Sequence, residues 1–410
     1  MAMPGEQPPL AAPGSDPTSE RSPGLILVVA TVGFVINFWA WALLSPLGPA
    51  LQKSLGLSSF QQALVVAVPV IVGSLGRIPV GALTDRYGGR IMFPIISFAT
   101  VVPTLFLGLV GTRSLAGLLV GGFFLGIAGT IFAAGVPLVS AWYPPARRGF
   151  ALGVFGAGMG GTAISALTTV RLVDAFSTRT PFLLTSAVLV VFGIVSWVLI
   201  RDFPDRTRPT EPFTRRLAAT LRLPITLQAS ALYAVAFGGY VAFSVYLPTY
   251  LKTAYGLTPS DAANRMAGFV LVAVVLRPVG GWLSDRLGAV PVVAGALAVV
   301  AVCAVAAAFT PDLVPVGTIA FLAMAGALGA GAGATFALVG ERAPAATVGG
   351  VTGVVGAAGG LGGFVPPLLM GSLYAQFSDY GIGLALLAAV AALAAVFTLT
   401  AVRRPAVVQG

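Results

Sequence analysis

The chain has 410 residues, 57% hydrophobic and only 9% charged. A soluble domain carries roughly 25% charged residues, so a water-soluble globular fold is excluded. The absence of histidine and the single cysteine, Cys303, exclude a disulfide framework and any Cys/His metal site.

Residues 1–23 are rich in Pro, Gly and Ser and carry Glu6, Asp16 and Glu20. They lack the basic start and apolar core of a signal peptide and are predicted to form a disordered tail. From there on, apolar runs of about twenty residues recur, each long enough to cross a bilayer as a helix. Twelve spans are predicted, at 24–47, 60–84, 91–111, 115–141, 149–172, 180–200, 225–250, 261–284, 289–309, 314–339, 347–373 and 380–402. Barrel strands would be shorter and would alternate in polarity, and these runs do not. Cys303 falls in the ninth span, where it fills core volume. The stretch 201–224, "RDFPDRTRPTEPFTRRLAATLRLP", is the long charged segment between spans and reads as a linker; 403–410 is a second short tail. The expected fold is an all-α membrane protein with six-helix bundles at 24–200 and 225–402.

The net charge of +10 invites a nucleic-acid reading, but the arginines and lysines are arranged for a membrane. With both termini inside, fifteen of the 23 Lys/Arg fall on cytoplasmic segments, and six fall outside: Lys53, Arg113, Arg171, Arg179, Lys252 and Arg265. This is the positive-inside bias, and it predicts a multi-pass protein of the plasma (inner) membrane with cytoplasmic termini. No nucleic-acid partner and no cofactor is implied; the partners are the lipid bilayer and a small solute, with the monomer sufficient for function.

Two arginines, Arg77 and Arg277, belong to neither side. They lie in the repeated stretches "GRIPVGALTDRYGGR" and "LRPVGGWLSDRLGAV". At an offset of 200, Arg77 matches Arg277, Gly81 matches Gly281, Asp85 matches Asp285, Arg86 matches Arg286 and Gly88 matches Gly288. The same offset pairs Gly156 with Gly356 and Gly160 with Gly360. Glycine is common in this chain, so the rare Arg and Asp matches carry the case. Two parallel six-helix repeats with a substrate site near the midplane form a transporter plan.

"GALTDRYGGR" resembles the loop motif between helices 2 and 3 of the major facilitator superfamily, and "GWLSDRLG" resembles its copy between helices 8 and 9. "VFGAGMGGTAISAL" and "GVVGAAGGLGGFVPPLLMG" resemble the two glycine-rich signatures of the nitrate/nitrite porter family. "NFWAWALLSPLGPAL" and "LYAVAFGGYVAFS" are similar to that family's helices 1 and 7. The likeness runs from about residue 24 to 400. There is one departure: where the family has Asn after Gly-x-Gly, this chain has Met159. The family's Asn contacts the anion, so the site is expected to differ in affinity or anion preference.

Burying one arginine costs about 2.5–3.5 kcal/mol on insertion scales, so two unpaired ones would cost roughly 5–7 kcal/mol. A structural ion pair would offset this, but all thirteen Asp/Glu lie in tails, loops or helix ends. Asp85 is eight residues beyond Arg77, about 12 Å along a helix. A small anion is the remaining partner, and a guanidinium grips a planar oxyanion with two parallel hydrogen bonds. The resemblance implies that Tyr233, Phe237 and Phe132 wall the anion, with Tyr233 donating a hydrogen bond. It also places Met159, with Gly158 and Gly160, beside it. The small residues Gly156, Gly161, Gly356, Gly359 and Gly360 let neighbouring helices approach and slide, and Gly160 and Gly360 are expected to occupy equivalent close interfaces. By the same resemblance Gly81, Asp85, Arg86, Gly281, Asp285 and Arg286 belong to a charge-linked gating latch. Asn37 is a polar outlier in the first span, suited to an interhelical hydrogen bond.

The expected function is secondary transport of nitrate and/or nitrite by alternating access. No mid-membrane Asp, Glu or His is present to carry a proton, which favours anion exchange. Proton-coupled symport and a porter for cyanate or formate stay open. A drug exporter, a membrane enzyme or a nutrient sensor fits less well, since the spans hold no catalytic cluster or midplane carboxylate and the tails are short.

Overall fold

The computed structural model describes residues 22–204, 213–344 and 347–402. Residues 1–21 of the tail expected at 1–23, the tail expected at 403–410 and the middle of the linker, 205–212, lie outside the described residues. All regular structure among the described residues is helical. Twelve helical segments are long and apolar enough to cross a membrane: Pro23–Leu55, Ser59–Tyr87, Gly89–Leu109, Leu115–Trp142, Ala151–Ala175, Thr180–Leu199, Pro224–Tyr255, Pro259–Leu287, Ala289–Ala308, Leu313–Arg342, Gly350–Phe377 and Gly381–Thr400. These are spans 1 to 12 below. A short linker helix, Phe213–Leu221, precedes span 7.

The offset of 200 governs the backbone as well as the sequence. Ser58 caps span 2 and Thr258 caps span 8, each accepting from a backbone N–H three residues on. Gly56 and Gly256 end spans 1 and 7 with φ of 64° and 66°; Gly88 and Gly288 turn the chain into spans 3 and 9 with φ of 90° and 84°. Only glycine visits this region without strain. The packing repeats too: span 3 lies on span 6 as span 9 lies on span 12. Between the halves, span 5 meets span 8 and span 2 meets span 11, while span 1 meets span 7.

The repeats differ in how their helices are broken. Span 1 is interrupted at Ala42–Leu43 because Pro46 has no N–H for the Ala42 carbonyl; Ser45 N takes that carbonyl at 3.1 Å instead. Span 2 is interrupted at Gly76, three residues before Pro79, whose missing N–H deprives the Leu75 carbonyl of its partner. Glycines loosen span 4 into a 3₁₀ turn at Gly126–Thr130 and span 5 into another at Ala157–Gly160. In the second half, span 7 runs unbroken over Pro224–Tyr255 and span 8 over Pro259–Leu287. Span 11 breaks between Gly362 and Val365, where Pro366 and Pro367 follow. The breaks in spans 2, 4 and 5 release backbone groups around Arg77 and Arg277. Asn37 makes the expected interhelical bond, from Nδ2 to Ser97 Oγ of span 3 at 3.1 Å.

Candidate substrate site

The break at Gly76 makes Arg77 the first residue of a new helix. Its guanidinium turns inward and is 7% exposed; Arg277, in the unbroken span 8, is 8% exposed. Arg77 Nε donates to Gly129 O of the span 4 turn at 3.3 Å, and Nη1 donates across the join to Gly356 O of span 11 at 2.6 Å. Arg277 Nη2 donates to Tyr233 Oη at 2.8 Å, and Nη1 meets Met159 Sδ of span 5 at 2.9 Å. Each arginine is thus held by a group from the opposite half. The acceptors are neutral, and neither arginine pairs with a carboxylate among the described residues.

Rings enclose the two cations. The Arg77 guanidinium carbon lies 5.2 Å from the Phe132 centroid and 5.8 Å from that of Phe237. The Arg277 carbon lies 5.5 Å from the same Phe237 ring and 5.8 Å from Phe336. Tyr233 and Phe237, one turn apart on span 7, stack at 4.8 Å with an interplanar angle of 2°. Phe336 meets Tyr233 edge-on at 4.8 Å. Such faces attract a desolvated cation by about 0.5–2 kcal/mol each, which offsets part of the cost of burial without cancelling charge. A small cavity, with room for roughly one water, lies beside Arg77 between Phe38, Trp41, Ser74, Val241 and Gly360.

The structure gathers Arg77, Arg277, Tyr233, Phe237, Phe132 and Met159 into one centre. The glycines divide. A Cβ on Gly156 would sit 3.7 Å from Arg277 Nε, and one on Gly356 3.3 Å from the Phe132 ring. At Gly359 it would overlap the Tyr233 ring, and at Gly360 the Ser74 hydroxyl. Gly158 packs on Phe34, and Gly161 on the span 1 backbone at Val35, so both serve the contact of spans 5 and 1. Gly160 departs from expectation. A Cβ there meets nothing within 4 Å, so it is not the counterpart of Gly360 at a close interface. The 3₁₀ turn at Ala157–Gly160 rotates it out of the register that the offset of 200 implies. Gly81 and Gly281 likewise have open space around them.

Among the described residues the expected latch forms an ion pair on one side. Asp85 Oδ2 pairs with Arg216 Nη2 of the linker helix at 2.8 Å. The same helix lodges Thr220 against Gly350 of span 11, where a Cβ would come within 2.7 Å of its hydroxyl. The linker helix thus bridges the two halves. Asp285 has no ion pair among the described residues. Arg86 lies over Tyr87 at 5.4 Å, and Arg286 over Trp282 at 4.2 Å.

At the end opposite the linker, side chains also join the halves. Ser45 Oγ donates to Val245 O at 2.7 Å, Gln62 donates to Thr249, Lys252 Nζ donates to Pro49 O at 3.4 Å, and Arg171 Nη2 donates to Asn264 Oδ1 at 2.8 Å. Sequence reasoning missed Phe336, Ser74, Thr162 and Tyr240. For Tyr240 a signal existed, since Tyr233, Phe237 and Tyr240 are spaced as one helical face.

Twelve spans in two matched sets, with a buried cation contributed by each set at their join, define a secondary transporter. The Major Facilitator Superfamily model matches residues 30–263 and 229–409. The probable nitrate/nitrite transporter NarK2 of Mycobacterium tuberculosis is 49% identical over 381 residues, covering 92% of this chain and 96% of that protein. The nitrite extrusion protein of Bacillus subtilis is 34% identical, covering 89% and 91%. The probable nitrate/nitrite antiporter NarK1 of Thermus thermophilus is 36% identical over 64% of this chain and 62% of its own. Among solved structures, a bacterial homolog of the human lysosomal transporter Spinster, inward-facing and occupied, superposes with a TM-score of 0.74 at 19% identity, covering 94% of this chain and 98% of that one, which speaks to the fold alone. The chain belongs to the major facilitator superfamily and, within it, to the nitrate/nitrite porter family.

Proposed function

We propose that this protein carries nitrate and/or nitrite across the membrane by alternating access, exchanging one anion for another. The observation that carries the reading is the pair of buried arginines: one from each half, both facing Phe237 and neither paired with a carboxylate among the described residues. An oxyanion between them would accept from both forks and neutralise part of the buried charge. The neutral acceptors that now hold the forks (Gly356 O, Tyr233 Oη, Met159 Sδ) are groups such an anion would displace or share. The relatives named as nitrate/nitrite transporter and antiporter support the substrate class.

In this reading residues 24–200 and 225–402 are the two moving bundles and 201–224 the linker, with both termini and the linker cytoplasmic in the plasma membrane. The monomer is the working unit. Phe132, Tyr233, Phe237, Met159 and Gly156 shape the anion site. Gly356, Gly359 and Gly360 form the sliding face of span 11, and Asp85 and Arg216 tie the cytoplasmic end. The test is nitrate uptake into purified proteoliposomes, either nitrite-loaded or anion-free, with chloride, formate and cyanate as competitors. Fast uptake into loaded vesicles alone supports exchange. Equally fast uptake into anion-free vesicles under an inward proton gradient refutes exchange in favour of symport. Uptake of cyanate or formate with no nitrate flux reassigns the substrate.

A further inference from the structure

Span 5 leaves α geometry at Ala157–Gly160, and the carbonyl of Met159 lies in that turn. Two buried hydroxyls converge there. Thr162 Oγ1 donates to Met159 O at 3.0 Å. Tyr240 Oη, from span 7 in the other half, donates to the same carbonyl at 3.4 Å and lies 3.2 Å from Thr162 Oγ1. Tyr240 is 1% exposed and Thr162 is fully buried. The Tyr240 ring also stacks on Phe237 at 5.7 Å. Met159, whose carbonyl is held this way, presents its Sδ to Arg277. The hydroxyl therefore sits between the ring that faces both cations and the turn that supplies a partner to one of them.

Its place along span 7 gives it a second property. Tyr240 lies beyond Phe237 in the direction away from the linker. It begins the series of cross-half bonds that continues through Val245, Thr249 and Lys252. In that series it is the member nearest the arginines.

We propose that Tyr240 is a positioning residue that ties span 7 to the span 5 turn, holding Met159 at Arg277 while the gate away from the linker is closed. This rests on the transport reading and its orientation given above. A bond across the halves on that side exists only while they are together there, so removing it favours the form open to the outside. A buried neutral hydrogen bond changes such an equilibrium by about two- to tenfold. The apparent affinity for an anion scales with the fraction of carrier that can receive it. Loss of the bond should therefore lower the external KM and raise the internal KM.

The experiment compares Tyr240→Phe, which keeps the ring and its stacking on Phe237, with Thr162→Val and Thr162→Ser. Nitrate KM is measured from each side, in right-side-out and inverted vesicles. The expected result for Tyr240→Phe is a fall in KM outside and a rise inside, with the ratio of internal to external KM increasing about two- to tenfold. Thr162→Val should move both values the same way, and Thr162→Ser should behave as wild type. General damage would lower turnover or protein yield without splitting the two KM values. Unchanged values, a shift in the same direction on both sides, or the opposite split overturns the proposal.

A second readout does not depend on the substrate. In a Cys303→Ser background with Ser45→Cys as reporter, an impermeant maleimide added outside intact cells should react about two- to tenfold faster when Tyr240 is Phe. Equal rates overturn the proposal. Faster labelling in a protein whose parent carries no nitrate would retain the gate and reject the transport reading.

Discussion

Replacing Arg77 by lysine keeps the charge and removes the fork. In the structure Arg77 uses two nitrogens, Nε on Gly129 O at 3.3 Å and Nη1 on Gly356 O at 2.6 Å. A lysine ammonium is a single point on a flexible stem, so it cannot bridge one carbonyl in span 4 and another in span 11 as a planar fork does. The cost of burying a cation is unchanged, and the ring faces of Phe132 and Phe237 remain. The protein should therefore insert and purify normally. What is lost toward the anion is one of the two parallel charge-assisted hydrogen bonds that a fork makes to an oxyanion, about 1.5–3 kcal/mol. At 1.4 kcal/mol per decade, anion affinity should fall roughly ten- to 150-fold. Arg277→Lys should do the same, because its ammonium likewise gives up the second parallel donor to the anion. The assay is nitrate flux against concentration in proteoliposomes, with monodispersity and melting temperature as folding controls. A nitrate KM within twofold of wild type in both variants would refute the two-fork clamp.

The other expectations follow from neighbouring contacts. Tyr233→Phe removes the phenol that accepts from Arg277 at 2.8 Å; the nitrate KM should rise about tenfold or more, and an unchanged KM would remove Tyr233 from the site. Gly360→Leu should insert but stop transport, since even a Cβ there overlaps Ser74, whereas Gly160→Leu should transport almost normally because its surroundings are open. Equal effects of the two substitutions in a flux assay would count against the sliding face on span 11. Asp85→Asn should lower nitrate exchange by no more than about fivefold, because the Asp85–Arg216 pair is about one-third exposed and such pairs contribute roughly 0–1 kcal/mol. The swap Asp85→Arg with Arg216→Asp should restore the rate; complete loss in Asp85→Asn would mean that Asp85 does more than pair with the linker helix.

The spans, the repeat and the two arginines were legible in the sequence because each rests on a rare event. An arginine inside an apolar run costs too much to occur without reason, and matched Arg and Asp positions at one offset do not arise from composition. The backbone bears the offset out at Gly56 and Gly256 and at Gly88 and Gly288. Gly160 was misread because the offset preserves residue number but not helical phase. The 3₁₀ turn in span 5 has no counterpart at the matching position of span 11, which stays α-helical over Val348–Gly362. The partner of Asp85 was hidden for a different reason: a motif names one residue of a pair, and Arg216 lies 131 positions away on a helix of nine residues. Phe336 was hidden among apolar neighbours, where an aromatic has no sequence mark of its own, and Tyr240 was marked only by its helical spacing from Tyr233 and Phe237. Only the fold puts them beside a cation or a kinked carbonyl.

The same asymmetry explains how two matched arginines come to have unlike settings. In the first half, prolines and glycines break spans 1, 2, 4 and 5, and the break in span 4 places freed backbone beside Arg77. Arg77 accordingly bonds to Gly129 O of the span 4 turn, and it reaches across the join to Gly356 O of span 11. In the second half, spans 7 and 8 are continuous, their carbonyls are spent within the helix, and Arg277 bonds to a phenol and a thioether. A carbonyl moves only with its helix, whereas a side chain can turn aside in place. An anion arriving between the two would thus draw Arg277 away from Met159 at small cost, but would loosen Arg77 from span 11 only by moving span 11. None of the four acceptors carries a negative charge, so they distribute two positive charges without cancelling them. A bound anion cancels part, at the one place where both guanidinium groups face the same ring. The barrier to moving the halves past each other is then lower for the loaded carrier than for the unloaded one, and that difference is what obligatory exchange requires.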